Sequence, residues 1–212
     1  GMTMGELALL FNNAFAIGCD LEVIPMKGWR RNSYADAWGR DWVCPSPNIP
    51  TFESALCFPG CVHFEGTNVS EGRGTTKPFE YIGAPYIESD RLALLMNKKK
   101  LPGVRFRPVF FQPTSQKWKD QVCGGVQIHI RDRKKFNAFK SGLSLLASII
   151  ELYPNAFEWK QPPYEYEHEK MPIDLIAGTS LLRESMEKAE GPACFFSQAD
   201  KELSRFNKLR AQ

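Results

Sequence analysis

Leu7, Leu10, Phe11, Ala14 and Phe15 recur at helical spacing, so the pattern predicts a first helix with one apolar face, ending near Gly18. Thr3 and Glu6 form a capping box at its start. A helix that begins almost at the first residue is what a chain cut from a longer polypeptide would show. The residues from Asp20 to Met26 then alternate as a strand would. From Lys27 to Tyr34 the sequence turns aromatic and basic without a period, as in a surface loop with a task. Prolines 45, 47, 50 and 59 argue against a long helix between Trp42 and Phe64, leaving room for a short helical piece from Thr51 to Cys57 and a short strand from Cys61 to Phe64.

Beyond residue 80 the pattern is stronger. Tyr81 to Ile87 reads as extended, and Ser89 or Asp90 caps a helix through about Lys98 that Leu101-Pro-Gly stops. Val104 to Phe111 and Val122 to Ile130 alternate with period two and are the best strands. Asp132 is placed to cap a long helix to Leu152, with Phe136, Phe139, Leu143, Leu146 and Ile150 on its buried side. Two shorter helices are predicted at 179–190 and 198–210. Strands and helices mix without regular βαβ alternation, which points to an α+β fold, a mixed β-sheet flanked by helices in one domain spanning 1–212. No repeat, heptad or low-complexity tract interrupts it.

Composition removes several function classes. Lys and Arg number 27 against 24 Asp and Glu, a net charge of +3 spread too evenly to make nucleic acid or an anionic membrane the main partner. No apolar run reaches the roughly 20 residues needed for a membrane span, and no signal segment opens the chain. The six cysteines sit in a chain with enough apolar residues to do without a disulfide framework. Cys57, Cys61 and His63 lie close together but lack an obvious fourth ligand, so no metal is expected.

The chemistry concentrates between His63 and Glu80. This stretch holds Glu65, Glu71, Glu80, Arg73, Asn68, several hydroxyls and the glycines 66, 72 and 74, a composition that cannot form a core but can fold back and aim polar groups at one point. Glu65 and Glu71 would be about 20 Å apart in an extended chain at roughly 3.3 Å per residue, and the glycines allow them much closer. Paired carboxylates suit glycoside hydrolysis. Equally, such glutamates can brace a loop by pairing with Arg73. Asn68, Thr75 and Thr76 can donate to sugar hydroxyls or an acetamido carbonyl, or make local turns. Asn68-Val-Ser70 is a glycosylation sequon of the kind that arises by chance, and Gly72-Arg-Gly-Thr-Thr lacks the spacing of a phosphate loop. His63 adjoins the loop, whereas His129 in an alternating strand reads as a hydrogen-bonded structural histidine. Trp29, between basic residues, is the tryptophan best placed to stack on a sugar ring. Tyr164, Tyr166, Glu165 and Glu167 fit either a solvated loop or a cleft.

Several motifs together resemble one family. Met2-Thr-Met-Gly-Glu-Leu-Ala-Leu-Leu-Phe-Asn12, Met26-Lys-Gly-Trp-Arg30, Pro45-Ser-Pro-Asn-Ile-Pro-Thr51, Glu65-Gly-Thr-Asn-Val-Ser-Glu-Gly-Arg-Gly-Thr-Thr-Lys-Pro-Phe-Glu80, Gly83-Ala-Pro85, Phe106-Arg-Pro108 and Pro172-Ile-Asp174 resemble the bacterial exo-β-N-acetylmuramidases of the NamZ type, long grouped as a domain of unknown function. The resemblance covers nearly all of the chain as the C-terminal half, with a Rossmann-like N-terminal half expected ahead of it as partner and the cleft between the two. It implies release of terminal N-acetylmuramic acid from peptidoglycan fragments, with no cofactor, by a full-length protein that is periplasmic or secreted. Glu65, Asn68, Glu71, Arg73, Thr75 and Thr76 match the family motif and would line the cleft. Glu65 and Glu71 are thus the candidate catalytic residues. Asn68, Arg73, Thr75, Thr76, Glu80, Trp29 and His63 are the candidate substrate-binding residues. A non-catalytic cell-wall binding module and a thiol hydrolase using Cys57 or Cys61 are the competing readings.

Overall fold

The computed structural model describes residues 1–188 and 191–210. Two compact units emerge, Gly1–Asp41 together with the segment from Ser197, and Trp42–Phe196.

In the smaller unit, α1 (Met4–Ala14) opens with the expected capping box: the Glu6 N–H donates to the Thr3 hydroxyl at 3.2 Å, and the Thr3 N–H donates to the Glu6 carboxylate at 2.7 Å. Its apolar face differs from expectation. None of its residues is buried, and Phe11 and Phe15 meet edge to face at 5.6 Å while staying open to solvent. The alternating stretch from Asp20 to Met26 is irregular rather than a strand, with Ile24 86% exposed. Alternation specifies a strand only where a partner strand pairs with it, and none of the described residues does so here.

The larger unit is built on three strands, β1 (Tyr81–Ala84), β2 (Val104–Phe111) and β3 (Cys123–Ile130), in the order β1-β3-β2. Both pairings are antiparallel, with Gly83 opposite Gly125 and Phe106 opposite Ile128. The sheet is antiparallel where a mixed one was expected: β1 and β2 run in the same direction, but β3 lies between them and pairs antiparallel with both. Helices α3 (Ser89–Lys98) and α4 (Ala138–Leu152) complete the core with α2 (Phe52–Cys61). The Ser89 hydroxyl ties α3 to the sheet, donating to the Val109 carbonyl at 2.8 Å and accepting from the Gly125 N–H at 2.9 Å. Phe64, Ile82, Leu92, Met96, Phe106 and Leu146 are closed to solvent, each contributing about 1.5–3 kcal/mol through burial.

Two local expectations move. Helix α4 starts six residues after Asp132, because Asn137 caps it by accepting from the Lys140 N–H at 2.9 Å, while the Asp132 carboxylate accepts from Lys134 N–H in the preceding turn. The segment from Cys61 to Phe64 is helical rather than extended: α2, capped by Thr51, runs through Pro59 into a 3₁₀ turn over Val62–Gly66. Packing explains the second change. A Cβ on Gly60 would sit 1.9 Å from the Ala138 carbonyl oxygen and one on Gly142 would sit 2.5 Å from Gly60, so α2 and α4 touch backbone to backbone, and Cys61, His63 and Phe64 are all buried beside that contact.

Helices α5 (Pro172–Ala177), α6 (Leu181–Glu187) and α7 (Ala193–Arg210) follow. The helix expected over 179–190 corresponds to α6, with 189 and 190 outside the described residues. Arg183 grips Asp174 through two N–H bonds of 3.0 and 2.8 Å, joining α6 to α5. Among the described residues no helix is long and apolar enough to cross a membrane.

Candidate active site

The polar loop between the 3₁₀ turn and β1 is braided into its neighbours by main-chain bonds. Ser70 and Gly83 exchange N–H bonds of 2.8 and 3.0 Å. On the other side, Asn68 N–H donates to Glu158 and Lys160 N–H to Gly66, both at 2.9 Å. The second pair of bonds brings the segment from Glu158 to Glu165 alongside the loop, a juxtaposition of residues 90 and 94 positions apart.

What results is a chain of alternating charges around a small cavity of about 280 Å³. Tyr164 OH donates to Glu65 Oε2 at 2.9 Å, and Arg73 Nη2 donates to Glu65 Oε1 at 2.5 Å. Arg73 Nε faces Glu71 Oε1 at 3.1 Å, and Lys117 Nζ donates to Glu71 Oε2 at 2.9 Å. One guanidinium thus holds both candidate carboxylates, and each carboxylate has a second donor for its other oxygen. The two differ in access: the side chain of Glu65 is 16% exposed and that of Glu71 only 4%.

Lys117 does more than pair with Glu71. Its ammonium also donates to the carbonyls of Phe64 and Val69 at 2.7 and 3.0 Å, closing the loop at its base. Burial lowers its pKa, opposed by the Glu71 charge. For Arg73, burial acts to lower the pKa, but the hydrogen bond and charge of Glu65 together with Glu71 reverse that and raise it. Burial and the bond to Glu65 push Tyr164 up to about 12, so it remains a donor at neutral pH. Lys160 completes the wall of the cavity, its Nζ 5.3 Å from the centre of the Tyr164 ring.

The other anticipated residues are distributed differently. Thr75 and Thr76 face a second, larger groove on the far side of Gly74. Asn68 is spent internally, its Nδ2 donating to Ala156 and its Oδ1 accepting from Tyr86 OH, both at 2.8 Å. Glu80 is buried and accepts from Thr51, Ser54 and Lys77. His63 is buried against Phe139 with Nδ1 3.0 Å from the Gly60 carbonyl, and burial lowers its pKa. Trp29 lies in the smaller unit, beneath the Arg31 guanidinium. His129 is not the hydrogen-bonded support expected of it: its Nε2 is buried without a partner among the described residues. Cys57 and Cys61 are free thiols whose pKa values burial drives upward, the reverse of what a thiolate nucleophile requires.

Lys117 and Lys160 escape a reading of sequence because nothing local distinguishes them from surface lysines; only the folded loop bonds reveal them. Tyr164 and Glu165 belong to the segment that fits either loop or cleft, and the cavity settles them on its rim.

The chain as a whole matches known proteins. The C-terminal model of the exo-β-N-acetylmuramidase NamZ matches residues 56–212, and the N-terminal model of the same protein matches residues 1–53. The chain belongs to the NamZ family. It is 44% identical over 210 residues to the peptidoglycan β-N-acetylmuramidase NamZ of Bacillus subtilis (strain 168), covering 99% of this chain and 49% of that protein. Two crystal structures of DUF1343 family proteins from Bacteroides fragilis NCTC 9343 share the fold. BF0371 superposes with a TM-score of 0.84 at 29% identity, and BF0379 with 0.71 at 26%; each covers all of this chain, which matches 55% and 54% of theirs. The chain therefore spans about half the length of the NamZ relatives it matches.

Proposed function

We propose that this chain supplies one wall of the active site of a glycosidase that releases terminal, non-reducing N-acetylmuramic acid from peptidoglycan fragments. The observation that carries this reading is the Glu65 carboxylate, held by Arg73 and Tyr164 on the rim of a charged cavity in a chain of the NamZ family. A carboxylate so fixed suits proton transfer or the facing of positive charge that develops on the sugar ring as the glycosidic bond breaks. Glu71, gripped by two cations and closed to solvent, acts as a positioning residue that fixes Arg73 and Lys117. Lys160 and the outer edge of Arg73 take the lactyl carboxylate of the sugar, the group that distinguishes N-acetylmuramic acid from its neutral neighbours.

The opposite wall, with a second carboxylate, comes from the N-terminal Rossmann-like half of the same protein. The full-length protein works in the periplasm or is secreted, where peptidoglycan fragments are at hand. Turnover of a chromogenic N-acetylmuramide by the full-length protein, by this chain alone and by Glu65→Gln and Glu71→Gln variants tests the proposal. Cleavage by the full-length protein that collapses in Glu65→Gln is the expected result. Full activity in both variants would remove the carboxylates from the chemistry. Saturable binding of muropeptides with no turnover by the full-length protein would make it a binding module instead.

A further inference from the structure

The second cavity has a different chemistry from the first. It is a groove of about 820 Å³ running past the end of β2 and the loop before β1, and none of its lining residues carries a charge at neutral pH. Its floor is aromatic: Tyr81 from β1 and Phe111 from β2 stack at 5.5 Å with their planes 30° apart. Around that floor stand Asn48, Thr76 and Ser115, whose side chains have no hydrogen-bond partner in the protein among the described residues. Gln112 uses its amide N–H₂ on the Asp120 carbonyl at 3.1 Å and leaves its oxygen to the groove.

The two cavities share a wall. Arg73 and Gln116 line the charged cavity, while their chain neighbours Gly74 and Ser115 line the groove. These two backbones are clamped together, since Thr114 donates both its N–H and its hydroxyl to the Gly74 carbonyl at 2.9 Å. Gly74 has φ +76°, and a Cβ there would lie 2.6 Å from the Ser115 nitrogen, so only glycine allows so thin a partition. In each of the two loops the wall is one residue thick, about 3.8 Å from one Cα to the next.

We propose that the uncharged groove binds a neutral N-acetylated pyranose, the leaving-group sugar on the other side of the bond whose terminal sugar sits at Glu65. This rests on the muramidase reading for the role of the sugar, although the binding chemistry of the groove stands by itself. An N-acetylhexosamine without a lactyl group presents an apolar C–H face to stack on Tyr81 and Phe111. It also presents hydroxyls and an amide to meet Asn48, Thr76 and Ser115. It carries no charge, as the groove requires. A peptide attached to the terminal sugar carries carboxylates, for which the groove has no cation, so the peptide belongs elsewhere. The Gly74 wall then marks the bond to be broken: anionic sugar on the Arg73 side, neutral sugar on the Thr76 side.

The test uses the full-length protein with Tyr81→Ala and Thr76→Val, the second at an exposed position where the fold is undisturbed. Binding of methyl β-N-acetylglucosaminide is followed by calorimetry and ligand-observed NMR, and the dipeptide L-alanyl-D-glutamate serves as the charged alternative. Saturable binding of the glucosaminide, weakened about tenfold by Tyr81→Ala and severalfold by Thr76→Val, is expected. In turnover, the ratio of kcat/KM for N-acetylmuramyl-N-acetylglucosamine to that for methyl N-acetylmuramide falls about tenfold in Tyr81→Ala. Absence of glucosaminide binding overturns the proposal, as does binding that both variants leave intact, or dipeptide binding that Tyr81→Ala abolishes. If the protein cleaves neither muramide yet binds the glucosaminide through Tyr81 and Thr76, the muramidase reading fails and the neutral-sugar groove stands.

Discussion

On either side of Gly74 the same loop makes two cavities of opposite character. The Arg73 side is small, ionic and internally satisfied, each carboxylate matched to two donors. The Thr76 side is larger, uncharged and aromatic, with side chains left unmatched. The difference teaches that a run of polar residues is not one site. Polarity in sequence says that a loop is not core, while the direction each side chain takes is decided by the backbone, here by the clamp between Gly74 and Thr114.

That contrast can be broken most sharply at Glu65. In the full-length protein, Glu65→Gln is expected to lower kcat about 10²–10⁴-fold while leaving binding of a neutral N-acetylhexosamine in the groove unchanged. Equal loss of both properties would mean that the cavities are not separate. The next largest effect is on stability. Glu71→Gln leaves Arg73 and Lys117 without their shared carboxylate and costs about 3 kcal/mol in urea unfolding. Adding Lys117→Met to that variant is expected to recover part of the loss, because it removes one of the stranded cations; additive losses would show that the two side chains are uncoupled. Tyr164→Phe deletes one bond to Glu65 and is expected to reduce kcat/KM about tenfold, with the groove again unaffected.

Smaller effects come from solvent conditions. Binding of N-acetylmuramic acid at the ionic side should weaken about two- to threefold between low and high salt, and binding of its neutral counterpart hardly at all. Acid tests the packing of α2 against α4, where His63 is buried beside Phe139. Burial holds the His63 pKa below its ordinary 6.5, so its contribution to stability is complete above about that pH and is lost as pH falls through the lower folded value. Chemical unfolding across pH 7 to 4 should show that loss, and His63→Gln should flatten it.

Sequence pattern reads the larger unit well where periodicity is strong. Strands β2 and β3 and helix α3 fall where alternation and 3.6-residue spacing put them, and α4 does so apart from its start, because Leu92, Met96, Phe106, Val126, Leu143 and Leu146 face one core. It reads poorly where a segment has no partner or two. The residues from Asp20 to Met26 alternate but find no strand to pair with, and Cys61, His63 and Phe64 are all buried next to the close contact of α2 and α4, so alternation does not mark one face. At the site, the glycine-rich loop and its carboxylates are visible in sequence. Asn68 and Glu80 look equally functional there, yet their bonds to Ala156, Tyr86, Thr51 and Ser54 are structural, and only long-range contacts separate the two cases.

Lys117 carries a last consequence. The ammonium that closes the loop lies 46 to 53 residues further along the chain than the groups it holds. A synthetic peptide spanning His63 to Glu80 would therefore not take up this geometry, and transplanting those residues onto another scaffold would carry the carboxylates without the cation that sets their spacing. The unit to be moved is the loop together with the connection between β2 and β3.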